Sequence, residues 1–286
     1  MGAPGGRVDA LLPRVARELG LRVVAPLAGG EFGATLVRDA GGRELVLKAL
    51  PSAEFAPRFA RGAEMAGRMR ARGYPAPRYE GTGAVEGAAW SLQERLPGAV
   101  PDVMSERHAV RLLELVGMHA GAAGRSARRQ AATVVEAAGL IARVEQHEET
   151  RPIACELAAV IERYGGRALI EDSVVHRDFH HRNYLAIGDE VTGVIDWELA
   201  GTGDWRADLV TLAFWSALLP AQIPPGAARI VIERMEEVCP PDVLALLAAR
   251  MTLRQLDFDV RVHPERLPAI LPGLERSVAR WWRAAM

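Results

Sequence analysis

The chain has 286 residues, 49% apolar and 25% charged, enough to bury a sizeable core, and its formal net charge of −1 argues against a nucleic-acid or anionic-membrane partner. Cys155 and Cys239 sit in apolar helical contexts and read as reduced thiols rather than a disulfide framework. The N-terminal stretch lacks a long apolar run, and Gly6 stands where N-myristoylation wants Ser or Thr, so the expectation is a cytoplasmic protein.

Strands are expected at Arg22–Leu27, Ala34–Asp39 and Arg43–Leu50, the last two flanking the turn Ala40-Gly41-Gly42. Pro57–Arg72 reads as a helix opened by proline and closed near Gly73. Tyr79–Gly83 and Ala88–Glu94 read as further strands. Leu96-Pro97-Gly98-Ala99-Val100-Pro101 then has the punctuation of a linker. Beyond it the pattern turns helical. Ser105 can cap a helix whose apolar residues Ala109, Leu112, Leu113, Val116 and Ala120 repeat at helical spacing. Helices follow at about 128–146 and 151–164. A strand-rich island over 173–197 interrupts them, and helices resume from Arg206, broken by prolines. This predicts an α+β chain with a β-rich lobe over residues 1–97 and a mostly α lobe over 98–286. The first carries a net charge of +4 and the second −5. An acidic α lobe suits a cationic small molecule.

The strongest chemical signal is His176-Arg177-Asp178-Phe179-His180-His181-Arg182-Asn183, followed by Val194-Ile195-Asp196. Phosphoryl transfer needs a carboxylate beside the attacking hydroxyl and oxygen ligands for the Mg²⁺ on the nucleotide phosphates. Asp178 and Asn183, five residues apart on one loop, can fill those roles. A hairpin through Gly188-Asp189-Glu190 would return Asp196 to Asn183 as a second metal ligand. One composition fact fits. Of 35 basic residues a single one, Lys48, is lysine, and the rest are arginine. A site that needs a compact point charge rather than a guanidinium fork explains that exception.

The H-x-D-x-x-x-x-N loop, hairpin and I-D-W-E run resemble those of aminoglycoside phosphotransferases and choline kinases, relatives of the protein kinases. Arg177 departs from the glycine that many antibiotic kinases have there. The resemblance implies a bilobal protein-kinase-like fold that binds ATP (or GTP) with Mg²⁺. It implies Asp178 as catalytic base and Asn183 with Asp196 as metal ligands. Lys48 would grip the α- and β-phosphates, held by Glu64 of the Pro57–Arg72 helix. Gly29, Gly30 and Gly33 would cover the phosphates, although Ala28 replaces the first glycine of the protein-kinase form. The backbone near Glu94 and Leu96 would bond the adenine edge. Asp208 would brace the catalytic loop, with helix capping by Asp204 as the alternative device. No A-P-E and no long activation segment follow Asp196, which points away from a phosphoregulated protein kinase.

The expected function is O-phosphorylation of a small cationic antibiotic, an aminoglycoside or a peptide of the viomycin and capreomycin type, conferring resistance. Glu198, Asp204, Asp257 and Asp259 are candidate anchors for its ammonium groups. Competing readings are a metabolic kinase acting on choline, homoserine, methylthioribose or a fructosamine, a metal hydrolase using His176, Asp178, His180 and His181, and a non-catalytic nucleotide-binding module. The hydrolase reading leaves Lys48 and Asp196 without a role.

Overall fold

The computed structural model describes residues 5–27, 33–124, 132–166 and 169–286. Two compact units emerge: Met1–Pro101 with Arg182–Gly201, and Asp102–His181 with Thr202–Met286.

The first unit opens with helix α1 (Gly5–Glu18), an element beyond those expected from the sequence. Its Leu11, Leu12, Val15 and Ala16 bury against one face of a sheet. That sheet contains β1 (Arg22–Leu27), β2 (Ala34–Arg38), β3 (Glu44–Leu50), β4 (Tyr79–Val85) and β5 (Ala88–Glu94), in the antiparallel order β1-β2-β3-β5-β4. The period of two along β3 decides its faces. Leu45, Leu47 and Ala49 meet α1. Val46, Lys48 and Leu50 take the opposite face, where Leu50 packs on Phe59 of helix α2 (Ala56–Arg70). Pro57 lies in the first turn of α2, and Phe59, Gly62, Met65, Ala66 and Met69 form its buried stripe.

The second unit begins with α3 (Glu106–Met118), whose first turn is closed by a capping box between Ser105 and His108. Helices α4 (Ala132–Glu145) and α5 (Arg151–Tyr164) follow, then β6 (Ser173–Val175) and the loop from His176. The chain returns to the first unit for the hairpin β7 (Tyr184–Ile187) and β8 (Glu190–Val194). It then completes the second unit with β9 (Gly201–Gly203), α6 (Arg206–Leu218), α7 (Pro225–Val238), α8 (Pro241–Val262), α9 (Leu267–Gly273) and α10 (Arg280–Arg283). Helix α6 is buried around most of its circumference and packs on α3, α7 and α8.

The division differs from a single break after Pro97, and hydrogen bonds explain why. Pro97 O accepts the Thr192 hydroxyl at 2.6 Å. Ala99 and Ala186 exchange backbone bonds at 3.2 and 2.8 Å. The expected linker is thus zipped onto the β7–β8 hairpin, and the break moves to Pro101. Gly98 enables this approach: at φ 94, an added Cβ would meet Ala186 O at 2.7 Å. No helix among the described residues is long and apolar enough to cross a membrane.

Candidate active site

In the first unit the β7–β8 hairpin brings its two ends together. Ile195 N donates to Asn183 O at 2.9 Å, so Asn183 and Asp196 flank one backbone bond. Asp196 adopts a left-handed backbone (φ 70, ψ 50), which turns the chain sharply after β8. Trp197 locks that turn. Its ring is fully buried, its Nε1 donates to Val194 O at 2.9 Å, and it stands edge-on to Tyr74 at 5.6 Å. Helix α2 presses on the same turn: a Cβ on Gly62 would lie 2.5 Å from Trp197 O.

Lys48 reaches this turn from β3. Its Nζ contacts the Asp196 carboxylate and lies 2.8 Å from Glu198 Oε1. Glu198 is the partner where Glu64 was expected, and the helical wheel gives the reason. Glu64 lies off the buried stripe of α2, more than half exposed, and accepts from Arg68 at 2.8 Å. That offset could have been read from the sequence. Glu94 is also tied down, accepting from Arg78 N at 2.7 Å and Arg70 Nη1 at 2.6 Å. Leu96 packs against Gly193. Gly33 opens β2 at φ 66, a conformation that suits glycine. Gly29 and Gly30 lie outside the described residues.

In the second unit the loop before Asp178 is held by one buried carboxylate. Asp208 is fully buried in the first turn of α6. It accepts His176 N at Oδ2 and Arg177 N at Oδ1, both at 2.7 Å, and His119 Nδ1 lies 2.9 Å from Oδ2. These bonds hold Arg177 in the left-handed region at φ 68. No local sequence signal marks His119, whose partner Asp208 lies 89 positions away. His180 Nε2 lies 3.5 Å from Asp178 Oδ1, and its ring lies 5.9 Å from that of Trp215. His176 and His181 are buried. Among the described residues no group of three or more His, Cys, Asp or Glu side chains is placed to hold a metal.

The expected ammonium anchors are engaged internally. Asp204 is 4% exposed and takes Arg206 Nε at 2.9 Å, Arg206 Nη2 at 2.6 Å, and the backbone N–H groups of Arg206 and Ile170 at 3.0 and 3.1 Å. Its role is to seat the start of α6. Asp257 is clamped by Arg143 at 2.5 Å and Arg261 at 3.0 Å. Asp259, 1% exposed, accepts from Gln255 at 2.9 Å. Glu198 is turned to Lys48. Burial is the shared reason: a carboxylate withdrawn from water must find a donor inside the protein.

A lysine mid-sheet, a braced His-Arg-Asp loop, and a hairpin bearing Asn and Asp at its ends define a protein-kinase-like phosphotransferase. The sequence profile of the phosphotransferase enzyme family APH matches residues 23–236, and the chain belongs to that family. It is an enzyme that phosphorylates alcohol groups. A comparison with curated protein sequences found no match. Among solved structures, a thermostable mutant of aminoglycoside phosphotransferase APH(4)-Ia in its apo form is similar at 18% identity and TM-score 0.70, covering 96% of this chain and 99% of that one. Aminoglycoside-3'-phosphotransferase of type VIII is similar at 24% identity and TM-score 0.62, covering 87% and 99%. Amicoumacin kinase hAmiN, in complex with AMP-PNP, Ca2+ and Ami, is similar at 14% identity and TM-score 0.61, covering 96% and 92%. These likenesses establish a shared α+β kinase-like fold.

Proposed function

We propose that this protein transfers the γ-phosphoryl group of ATP (or GTP) to a hydroxyl of a small antibiotic and thereby confers resistance to it. The observation that carries the reading is the loop from His176 to Asn183, with its backbone braced by Asp208 and its far end joined to Asp196. Support for an antibiotic acceptor comes from relatives of the same fold, one of which was solved with AMP-PNP and hygromycin B.

Asp178 receives the proton of the acceptor hydroxyl as its oxygen bonds to the γ-phosphorus and the bridge to the β-phosphate breaks, releasing the nucleoside diphosphate. Lys48 steadies the phosphates by charge. Asn183 and Asp196 supply hard oxygen donors of the type Mg²⁺ takes, and a bound Mg²⁺ would neutralise phosphate charge there. Much of the rate would come from positioning, since the loop is prearranged by bonds that do not change during the reaction.

The internal pairing of Asp204, Asp257 and Asp259 favours a second reading. An acceptor with few ammonium groups, such as a metabolic alcohol, needs none of those anchors.

Diphosphate release over a panel of aminoglycosides, viomycin-type peptides and metabolic alcohols, each with wild type and Asp178→Asn, tests both readings. Asp178→Asn should lower kcat by about a thousandfold and leave nucleotide affinity within about twofold. A variant that turns over like the parent rules out Asp178 as the base.

A further inference from the structure

Lys48 touches two carboxylates, Asp196 and Glu198. In the function proposed above, Asp196 is needed as a metal ligand, so only one of the two can stay with the lysine through the reaction. The expected alternative, a helix glutamate, is missing from the right surface. The buried stripe of α2 is Phe59, Gly62, Met65, Ala66 and Met69, with no carboxylate on it. Glu54, the other acidic residue near α2, is exposed in the turn before it. The close approach of Gly62 to Trp197 O instead sets α2 directly against the turn that carries Glu198.

Glu198 is suited to a permanent pairing. Its side chain is 12% exposed and that of Lys48 is 15% exposed, so the ion pair is largely shielded from water. Its backbone is fixed too, since Arg58 Nε donates to Glu198 O at 3.2 Å. Its negative charge, second to burial, holds the Tyr79 hydroxyl well above the ordinary phenol range.

We infer that Glu198 is the positioning residue for Lys48, taking the place of a helix glutamate, and that Lys48 keeps Glu198 while Asp196 is given over to the metal. The inference rests on the phosphotransfer reading, and assigns Glu198 to the lysine rather than to the acceptor or the cation.

Because Lys48 is the single lysine in the chain, amine acylation followed by peptide mass spectrometry reports on it alone among side chains. An amine held between carboxylates reacts slowly. In the full-length protein with EDTA present, Glu198→Gln should raise the labelling rate several-fold. Glu198→Asp should fall between, because it keeps the charge on a shorter arm. Glu64→Gln should label like the parent, since that carboxylate is engaged by Arg68. In turnover assays Glu198→Gln should raise the nucleotide KM about tenfold and leave the acceptor KM unchanged. Nucleotide affinity measured with EDTA should weaken in parallel, which a metal-ligand role would not produce.

Equal labelling of wild type and Glu198→Gln overturns the proposal, as does faster labelling in Glu64→Gln. A Glu198→Gln defect confined to the Mg²⁺ dependence overturns it as well. If Glu198→Gln does not fold, the decision passes to Glu198→Asp, whose labelling must exceed that of wild type. None of the labelling results depends on turnover. Failure of the phosphotransfer reading would show separately, as wild-type protein that consumes no nucleotide with any acceptor.

Discussion

Each unit holds a non-glycine residue in the left-handed region in the loop of a proposed functional carboxylate: Arg177 at φ 68, next to Asp178, and Asp196 itself at φ 70. Each conformation costs on the order of 1 kcal/mol. The units hold them by different means. Arg177 is held electrostatically: Asp208 accepts the N–H groups of residues 176 and 177 and binds His119 from a fully buried position. Asp196 is held by volume: a buried indole follows it, and Gly62 brings a helix within contact distance of the same turn. The loop bearing Asp178 therefore depends on one acceptor, and the loop bearing Asp196 depends on a small residue. They should fail in different ways.

The largest expected effect is on the electrostatic side. Asp208→Ala removes the acceptor of two backbone N–H groups, one buried and one half-buried, and the partner of the buried His119 ring; at about 1–3 kcal/mol for each lost partner, a loss of about 3–5 kcal/mol is expected. Asp208→Asn keeps the volume but sets an amide NH₂ against a backbone N–H, and should cost nearly as much. Urea denaturation followed by circular dichroism measures both. A loss under about 1 kcal/mol would mean the loop holds its shape without that carboxylate.

On the packing side Gly62→Ala is the counterpart, with a smaller effect. Its Cβ would fall 2.5 Å from a backbone oxygen, and neither α2 nor the Trp197 turn can yield by rotating a side chain. Overpacking of this kind costs about 1–3 kcal/mol. Because the displaced turn carries Asp196 and Glu198, the nucleotide KM should rise while the acceptor KM holds. An equal rise in both would break the assignment of this turn to the nucleotide.

Much of this was readable in the sequence because its signals are local. Alternation along β3, proline at the start of α2 and the capping Ser105 mark elements through nearby residues alone. The Asp178–Asn183 spacing and the hairpin before Asp196 are equally local. Local signals carry no information where the deciding partner is distant in the chain. Glu198 pairs with Lys48 across 150 positions, and Asp257 pairs with Arg143 across 114. No periodicity announces such pairs, and a charge count treats all four residues as surface. Although Asp204 is spent on Arg206 only two positions away, the acidic balance of the α lobe was misleading about Asp257 because its partner Arg143 is distant. The unit boundary was missed for the same reason, because residues 97–99 are claimed by a hairpin some ninety positions later.

The smallest effect tests whether Arg177 matters for its side chain or only for its backbone. Arg177→Gly removes the left-handed penalty, a gain of about 1 kcal/mol. It adds backbone freedom to the unfolded chain, a loss of about 0.5–1 kcal/mol. It also removes the bond from the guanidinium to Thr202 O at 3.2 Å, which is exposed and weak. The bonds that shape the loop remain, because Asp208 holds backbone N–H groups and Arg254 donates to the Arg177 carbonyl at 3.1 Å. The sum should lie within about 1 kcal/mol of zero, with kcat changed less than about threefold. Asp196 permits no such exchange, since its side chain is a proposed ligand. If Arg177→Gly instead lowers kcat tenfold at unchanged stability, the guanidinium itself serves the reaction, and the loop bearing Asp178 supplies a charge as well as a geometry.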